Sequence, residues 1–149
     1  MKNNKILLTI SIVAILAIIT IICLSIVITV QKPKDLNSFI NTENLSKVSI
    51  STSVPEEFNK EFEFNLSADE IAQLSKYVNA AKVERKLGNN DYDEVGLSIK
   101  FEYADGTSQE IACRHYVMLD GKWYNLDGYV FEYIYETNSY KTAYENARN

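Results

Sequence analysis

The sequence predicts an α+β protein: an N-terminal transmembrane helix followed by one small domain, in which a main helix over 68–81 packs on an antiparallel meander sheet. An uncharged apolar run, one stretch of helical periodicity and several alternating segments separated by Asp-Gly pairs lead to this prediction. We expect five parts: a cytoplasmic stub (1–5), the transmembrane helix (6–30), a tether (31–44), an extracytoplasmic domain (45–137) and a polar tail (138–149). One helical turn is expected within the tether, around 36–40.

The apolar run Ile6–Val30 contains 20 apolar residues, five Ser or Thr and no charge. A spanning helix needs about 20 apolar residues, and in lipid a lone segment can satisfy its backbone amides only as a helix. A cleaved signal peptide is the main alternative, but the run is long and no A-x-A-like site ends it. A lipoprotein site at Cys23 is disfavoured by the bulky Ile22 before it. Lys2 and Lys5 slightly favour an N-terminus inside and a domain outside the cell.

The main helix has the clearest local signals. Ser67 and Glu70 have the spacing of a capping box, in which the side chain of each accepts a hydrogen bond from the backbone N–H of the other. An apolar face follows at spacings of three, four and three residues: Ile71, Leu74, Val78 and Ala81. These features predict a helix over 68–81.

Alternation of apolar and polar residues predicts strands at 47–54, 61–66, 83–87 and 95–103, with a turn at 88–91. Asp-Gly pairs at 105–106, 120–121 and 127–128 are each a hairpin signal. After the last pair, the composition of 129–135 favours a strand followed by a frayed helix, and a helix over 129–146 is the alternative.

The first Asp-Gly pair permits a prediction of strand register. A two-residue turn would place Arg114 opposite Leu97 and disrupt the apolar face. A three-residue loop over 104–106, with Gly106 left-handed, instead places Ile99 opposite Ile111. We therefore expect the three-residue loop, which also pairs Leu97 with Cys113.

Few residues in this chain have the pattern of a catalytic or metal site. In the expected register Cys113 and His115 face the apolar side of the sheet, so Cys113 is interpreted as a core residue; a hydrolase or transferase using Cys113 is the alternative. The segment 89–94 has oxygen ligands at alternate positions, but it lacks the Gly and closing Glu of a calcium loop and is interpreted as a solvated turn. The sequence predicts no cofactor and no metal.

Aromatic residues are concentrated near the C-terminus, where eight of the ten Tyr follow residue 100. Many of them are needed for the core of a small sheet. A surplus on one outer face would suit a peptide or glycan, because aromatic rings give a large contact area at low entropic cost. The candidate binding residues are Tyr116, Trp123, Tyr124, Tyr129 and Tyr133, and the length of the loop at 120–121 decides which of Trp123 and Tyr124 points outward.

The net charge of the domain disfavours a nucleic-acid partner. The residues after position 30 carry 13 Lys and Arg against 20 Asp and Glu, a net charge of −7. Nucleic-acid affinity comes mostly from neutralising phosphates, so an acidic domain disfavours it. The expected partners are the lipid bilayer through Ile6–Val30 and a cell-surface protein, peptide or wall glycan.

The order of anchor, polar segment, strand, capped helix, F-E-Y-A-D-G-T hairpin and W-Y-N-L-D-G-Y segment resembles small membrane-anchored extracytoplasmic domains of unknown function from low-GC Gram-positive bacteria. The resemblance covers residues 45–136 and implies a fold and a location but no catalytic residue. We expect a non-catalytic binding or accessory domain; a small membrane immunity-type protein is a further alternative.

Overall fold

The structure, a computed structural model, describes residues 2–54, 57–86, 96–113, 116–127 and 130–149. It divides into two units, one ending at Lys32 and one running from Pro33 to Asn149. The first unit is helix α1 (Lys2–Gln31), whose stretch Ile10–Thr29 is long and apolar enough to cross a membrane, judged by length and composition. The helix predicted over 6–30 is confirmed.

Three hydroxyl groups of α1 are satisfied within the helix. Thr20, Ser25 and Thr29 each donate to the backbone carbonyl four residues earlier, at 2.8–2.9 Å. Such bonds satisfy the polar hydrogens of these hydroxyl groups within the helix, which lowers the cost of placing them in lipid.

The second unit begins with a short strand and a single turn of 3₁₀ helix (Leu36–Ser38). Its strands, in chain order, are β1 (Lys34–Asp35), β2 (Leu45–Val54), β3 (Glu57–Asn65), β4 (Lys82–Arg85), β5 (Leu97–Tyr103), β6 (Ser108–Cys113), β7 (Tyr116–Leu119) and β8 (Lys122–Asp127). Its helices are α2 (Ala68–Ala80), α3 (Glu132–Glu136) and α4 (Asn138–Arg148).

All eight strands form one antiparallel sheet in the order β1-β4-β8-β7-β6-β5-β2-β3. Strands β5 to β8 are the expected meander. Strand β4 departs from it, because it pairs with β8 rather than β5, with Val83 opposite Leu126. The antiparallel α+β fold predicted from the sequence is confirmed.

One face of the sheet is covered and forms the core. Ile50, Ile99 and Phe101 are almost completely buried there, and α2 contributes Leu74 and Val78. On the opposite face none of the described side chains is buried. The sheet therefore has one open face, as antiparallel sheets commonly do.

The N-terminus of α2 is built as predicted. The backbone N–H of Ser67 donates to Oε2 of Glu70 at 2.8 Å, and the backbone N–H of Glu70 donates to Oγ of Ser67, which completes the capping box. The helix ends at Ala80, one residue earlier than expected, but Ala81 still belongs to the core.

The register of the β5–β6 hairpin is also confirmed. Ile99 lies opposite Ile111, and Leu97 lies opposite Cys113. Gly106 adopts φ +84°, and Tyr103 pairs with Thr107 across a three-residue loop. The turn expected at 88–91 lies outside the described residues.

The segment 31–44, expected to be a tether with one helical turn around 36–40, contains that turn but packs against the rest of the second unit. Strand β1 pairs with β4, and the side chains of Leu36 and Ile40 are completely buried. The backbone N–H of Leu36 also donates to the carbonyl of Ala81, at the end of α2. Two large apolar side chains in a polar segment gain more from burial than from remaining in solvent, so the chain folds onto the core.

The strand expected over 129–135 is wrong, and the alternative, a helix over 129–146, is closer, because α3 and α4 cover most of the described part of that range. Where the described residues resume at Val130, the chain enters α3 instead of a strand, so the Asp-Gly pair at 127–128 does not lead into a strand hairpin. The predicted polar tail is helix α4, in which Tyr140 and Ala143 pack against the core. The Thr137 hydroxyl accepts a hydrogen bond from the backbone N–H of Tyr140 and caps this helix.

Candidate binding surfaces

The structure places two of the predicted binding residues together and separates the others. Tyr116 on β7 and Trp123 on β8 lie on the open face of the sheet, both partly exposed. Tyr124 and Tyr133 lie elsewhere, and Tyr129 lies outside the described residues.

A third residue, which was not a candidate from the sequence, lies beside Tyr116 and Trp123 on the open face. Met118 is 37% exposed and lies directly opposite Trp123, while Tyr116 lies two residues before it on the same strand. We call Tyr116, Met118 and Trp123 the aromatic patch. Paired positions on adjacent strands have Cβ atoms about 5 Å apart, and diagonal positions remain within reach of aromatic rings. The three side chains thus form one continuous surface.

A lysine lies at the edge of the aromatic patch. The Nζ of Lys86 is 3.3 Å from the centre of the Tyr116 ring, and its backbone N–H donates to the carbonyl of Trp123 at 3.0 Å. A cation over an aromatic face is attracted to it. Lys86 therefore favours one orientation of the Tyr116 ring at the edge of the patch.

The turn at Asp120–Gly121 explains this arrangement. It has two residues, both with positive φ (49° and 69°), as a type I′ hairpin turn requires. This length directs Trp123 outward and Tyr124 inward. Tyr124 is 4% exposed, and its ring centre lies 5.2 Å from that of Phe39, so of the two alternatives Trp123 points outward and Tyr124 packs in the core.

Tyr133 lies on α3, among the helices of the second unit, and not beside the aromatic patch. Its ring centre is 5.1 Å from that of Tyr77, which links α3 to α2. Partial burial and the nearby Glu70 carboxylate raise the pKa of Tyr133. It is thus separate from the surface formed by Tyr116 and Trp123.

Cys113 is a core residue, as the register predicts. It is 2% exposed, and burial raises the pKa of its thiol. A thiol acts as a nucleophile in its deprotonated form, which this environment opposes. His115 lies outside the described residues.

Thiol labelling provides a direct check on this environment. In the Cys23→Ser chain, where Cys113 is the remaining cysteine, we expect a maleimide to react roughly a thousandfold more slowly with the folded protein than in denaturant. Mass spectrometry over time measures both rates. Fast labelling of the folded protein would contradict the core role and favour the hydrolase or transferase alternative.

A groove lies between the segment after the 3₁₀ turn and the β5–β6 hairpin. It has a volume of about 630 Å³. The half-buried side chains of Phe39, Tyr103 and Gln109 are among the residues that line it, and we call these three the groove floor. The exposed amides of Asn37, Asn41 and Asn44 lie along its rim.

Hydrogen bonds hold the groove floor in one arrangement. Nε2 of Gln109 donates to the carbonyl of Phe39 at 2.8 Å, and Oε1 of Gln109 accepts from the Tyr103 hydroxyl at 3.3 Å. The two sides of the groove are the segment after the 3₁₀ turn and the β5–β6 hairpin. They are joined by the backbone N–H of Ala104, which donates to the carbonyl of Asn44 at 2.9 Å. The groove is thus already formed in the free protein.

Among the described residues, no group of three or more His, Cys, Asp or Glu side chains is arranged to hold a metal ion. The segment 89–94, interpreted from the sequence as a solvated turn, lies outside those residues.

In comparisons with known proteins, no family model, no curated protein and no solved structure matches this chain.

Proposed function

We propose that this protein is a membrane-anchored, extracytoplasmic binding domain without catalytic activity, which contacts a protein or peptide partner through the aromatic patch. One observation carries the proposal. Met118 is 37% exposed and lies next to Tyr116 along β7 and opposite Trp123 on β8, on a sheet face where none of the described side chains is buried. Trp and Tyr are the residue types that most often dominate the binding energy of protein interfaces.

The membrane part of the proposal rests on α1. Its stretch Ile10–Thr29 has the length and composition of a spanning helix, and its large apolar side chains are exposed. Lys2 and Lys5 precede it, which favours an N-terminus in the cytoplasm and a second unit outside the cell. The net charge of −7 after residue 30 further disfavours a nucleic-acid partner.

A binding role is favoured over catalysis by the position of the nucleophile candidate. Cys113 lies on the covered face of the sheet, whereas Tyr116 and Met118 lie on the open face. A substrate at the aromatic patch would therefore be separated from the thiol by the sheet itself.

Site-specific photo-crosslinking in intact cells tests the proposal. A photoreactive phenylalanine at position 118 of the full chain should give a discrete crosslinked product, because this position is in the aromatic patch. Tyr77 provides a matched control, since it is 38% exposed, against 37% for Met118, but lies on the helical layer. The product should be absent from position 77 and should be lost when Trp123→Ala is added.

The opposite results have a clear meaning. The absence of a product from position 118, or the same product from position 77, would show that the aromatic patch is not a binding surface. Digestion by an external protease on intact cells tests the orientation separately, because a second unit outside the cell is cleaved and one inside is protected.

A further inference from the structure

The groove beside the β5–β6 hairpin is separate from the aromatic patch. The Gln109 side chain in its floor donates to the carbonyl of Phe39, so the groove lies on the covered side of the sheet. Tyr116 and Trp123 lie on the open side. A ligand in the groove therefore does not compete with a partner on the patch.

The floor combines two ring surfaces with a fixed amide. Phe39 and Tyr103 are both half-buried and line the groove. The Phe39 ring also packs against Tyr124, with ring centres 5.2 Å apart, and the Nζ of Lys34 lies over it, which fixes its position at the edge of the groove. Aromatic rings provide flat apolar surfaces, and the C–H faces of a pyranose ring are the complementary surface of a sugar. Because the Gln109 amide and Tyr103 hydroxyl already hydrogen-bond to each other, little ordering is required when a ligand binds.

The rim supplies both donors and acceptors. The side-chain amides of Asn37, Asn41 and Asn44 each carry a carbonyl oxygen and an NH₂ group. The Asn41 oxygen already accepts from the backbone N–H of Glu43 at 2.9 Å, which orients this amide and leaves its NH₂ group as the donor. A hydroxyl group both donates and accepts, so amides are its natural partners. A ligand with many hydroxyl groups matches such a rim better than an apolar ligand does.

The charges along the groove disfavour anions. Its lining includes the carboxylates Glu43 and Asp105. One cation lies nearby: the Nζ of Lys34 is 5.5 Å from the centre of the Phe39 ring. Hydrogen bonds from the Thr107 side chain and backbone N–H hold the pKa of Asp105 below its usual value, so this carboxylate is ionised at neutral pH. Phosphate and carboxylate ligands are normally bound by cationic side chains or helix N-termini. The lining thus favours a neutral or amino-bearing ligand.

We propose that this groove binds an uncharged or amino-substituted saccharide, with the sugar ring against Phe39 and Tyr103 and its hydroxyl groups on the rim amides. The volume of about 630 Å³ lies within the range of roughly 300–1,000 Å³ that is typical of small-ligand pockets. The site is independent of the aromatic patch proposed above, and either proposal stands if the other fails.

Saturation-transfer NMR on the full chain in lipid nanodiscs tests the site. Triacetylchitotriose, a neutral trisaccharide, should receive magnetisation when the aromatic protons of the protein are saturated. Ala104→Trp places a bulky ring in the groove and should weaken binding at least tenfold. Ala72→Trp, an exposed alanine on α2, is the matched control and should leave binding unchanged.

Two further ligands test whether the groove prefers neutral or amino-bearing ligands over anions. The trimer of glucosamine, which carries amino groups, should bind in the same groove and should also be blocked by Ala104→Trp. Inorganic phosphate has no carbon-bound protons, so it is followed by the width of its ³¹P signal, and it should not bind there. The proposal is overturned if neither trisaccharide binds the unmodified chain, if Ala104→Trp binds as well as Ala72→Trp, or if phosphate binds and is blocked by Ala104→Trp.

Discussion

A chain that begins at Leu45 should fail to fold, whereas a chain that begins at Pro33 should unfold cooperatively. The segment between these two starts contributes Leu36 and Ile40, both completely buried. Loss of one such side chain typically costs about 2–5 kcal/mol, and a small domain has only about 5–15 kcal/mol of stability in total. Circular dichroism during urea unfolding distinguishes the two chains.

Point variants of the full chain separate the buried side chains from the length of the segment. Leu36→Ala should lower the free energy of unfolding by about 3 kcal/mol. Asn37→Ala, at the exposed neighbouring position, should lower it by less than about 0.5 kcal/mol. A chain starting at Leu45 that unfolds at the same urea concentration as one starting at Pro33 would show that this segment is a tether after all.

Features that depend on local chemistry were predictable from the sequence. The capping box needs only Ser67 and Glu70, three residues apart, and the loop over 104–106 follows from matching the apolar positions of two adjacent strands. In both cases the residues that decide the structure lie close together along the chain.

Features that depend on distant parts of the chain were not predictable. Leu36 and Ile40 are isolated apolar residues in a polar segment, and their burial needs the end of α2 to be in place. The stretch after Val130 is rich in aromatic residues, which favour strands in general, but here it covers a sheet that is already complete. Tertiary packing overrode local preference in both segments.

The aromatic patch was also only partly predictable from the sequence. The sequence identified Tyr116 and Trp123 but left the turn at 120–121 open, so Tyr124 remained a candidate. One residue of loop length reverses which side chains of β8 face the core. Met118 could have been identified once that turn was known, since it lies opposite Trp123.

Glu70→Ala should destabilise the domain by about 3 kcal/mol, because this carboxylate joins the N-termini of two helices. Its oxygens accept hydrogen bonds from the backbone N–H and hydroxyl of Ser67 on one side, and from the backbone N–H and hydroxyl of Ser139 on the other. The sequence predicted only the first side. Asp69→Ala, in the same turn of α2 but exposed, is the control and should cost less than about 1 kcal/mol.

The pH dependence of stability identifies the charged form of Glu70 as the stabilising one. Partial burial would raise the pKa of this carboxyl, but the hydrogen bonds from Ser139 and Ser67 outweigh it and lower the pKa from 4.5 to about 2. Because the folded state has the lower pKa, the unfolded state binds more protons between these values, and stability is lost as the pH falls from 4.5 toward 2. Glu70→Gln has no carboxyl to titrate at this position. The difference in the free energy of unfolding between wild type and this variant, measured by urea unfolding, should therefore shrink as the pH falls across the same interval. A difference that stays constant with pH would mean that the carboxylate charge does not hold α2 and α4 together.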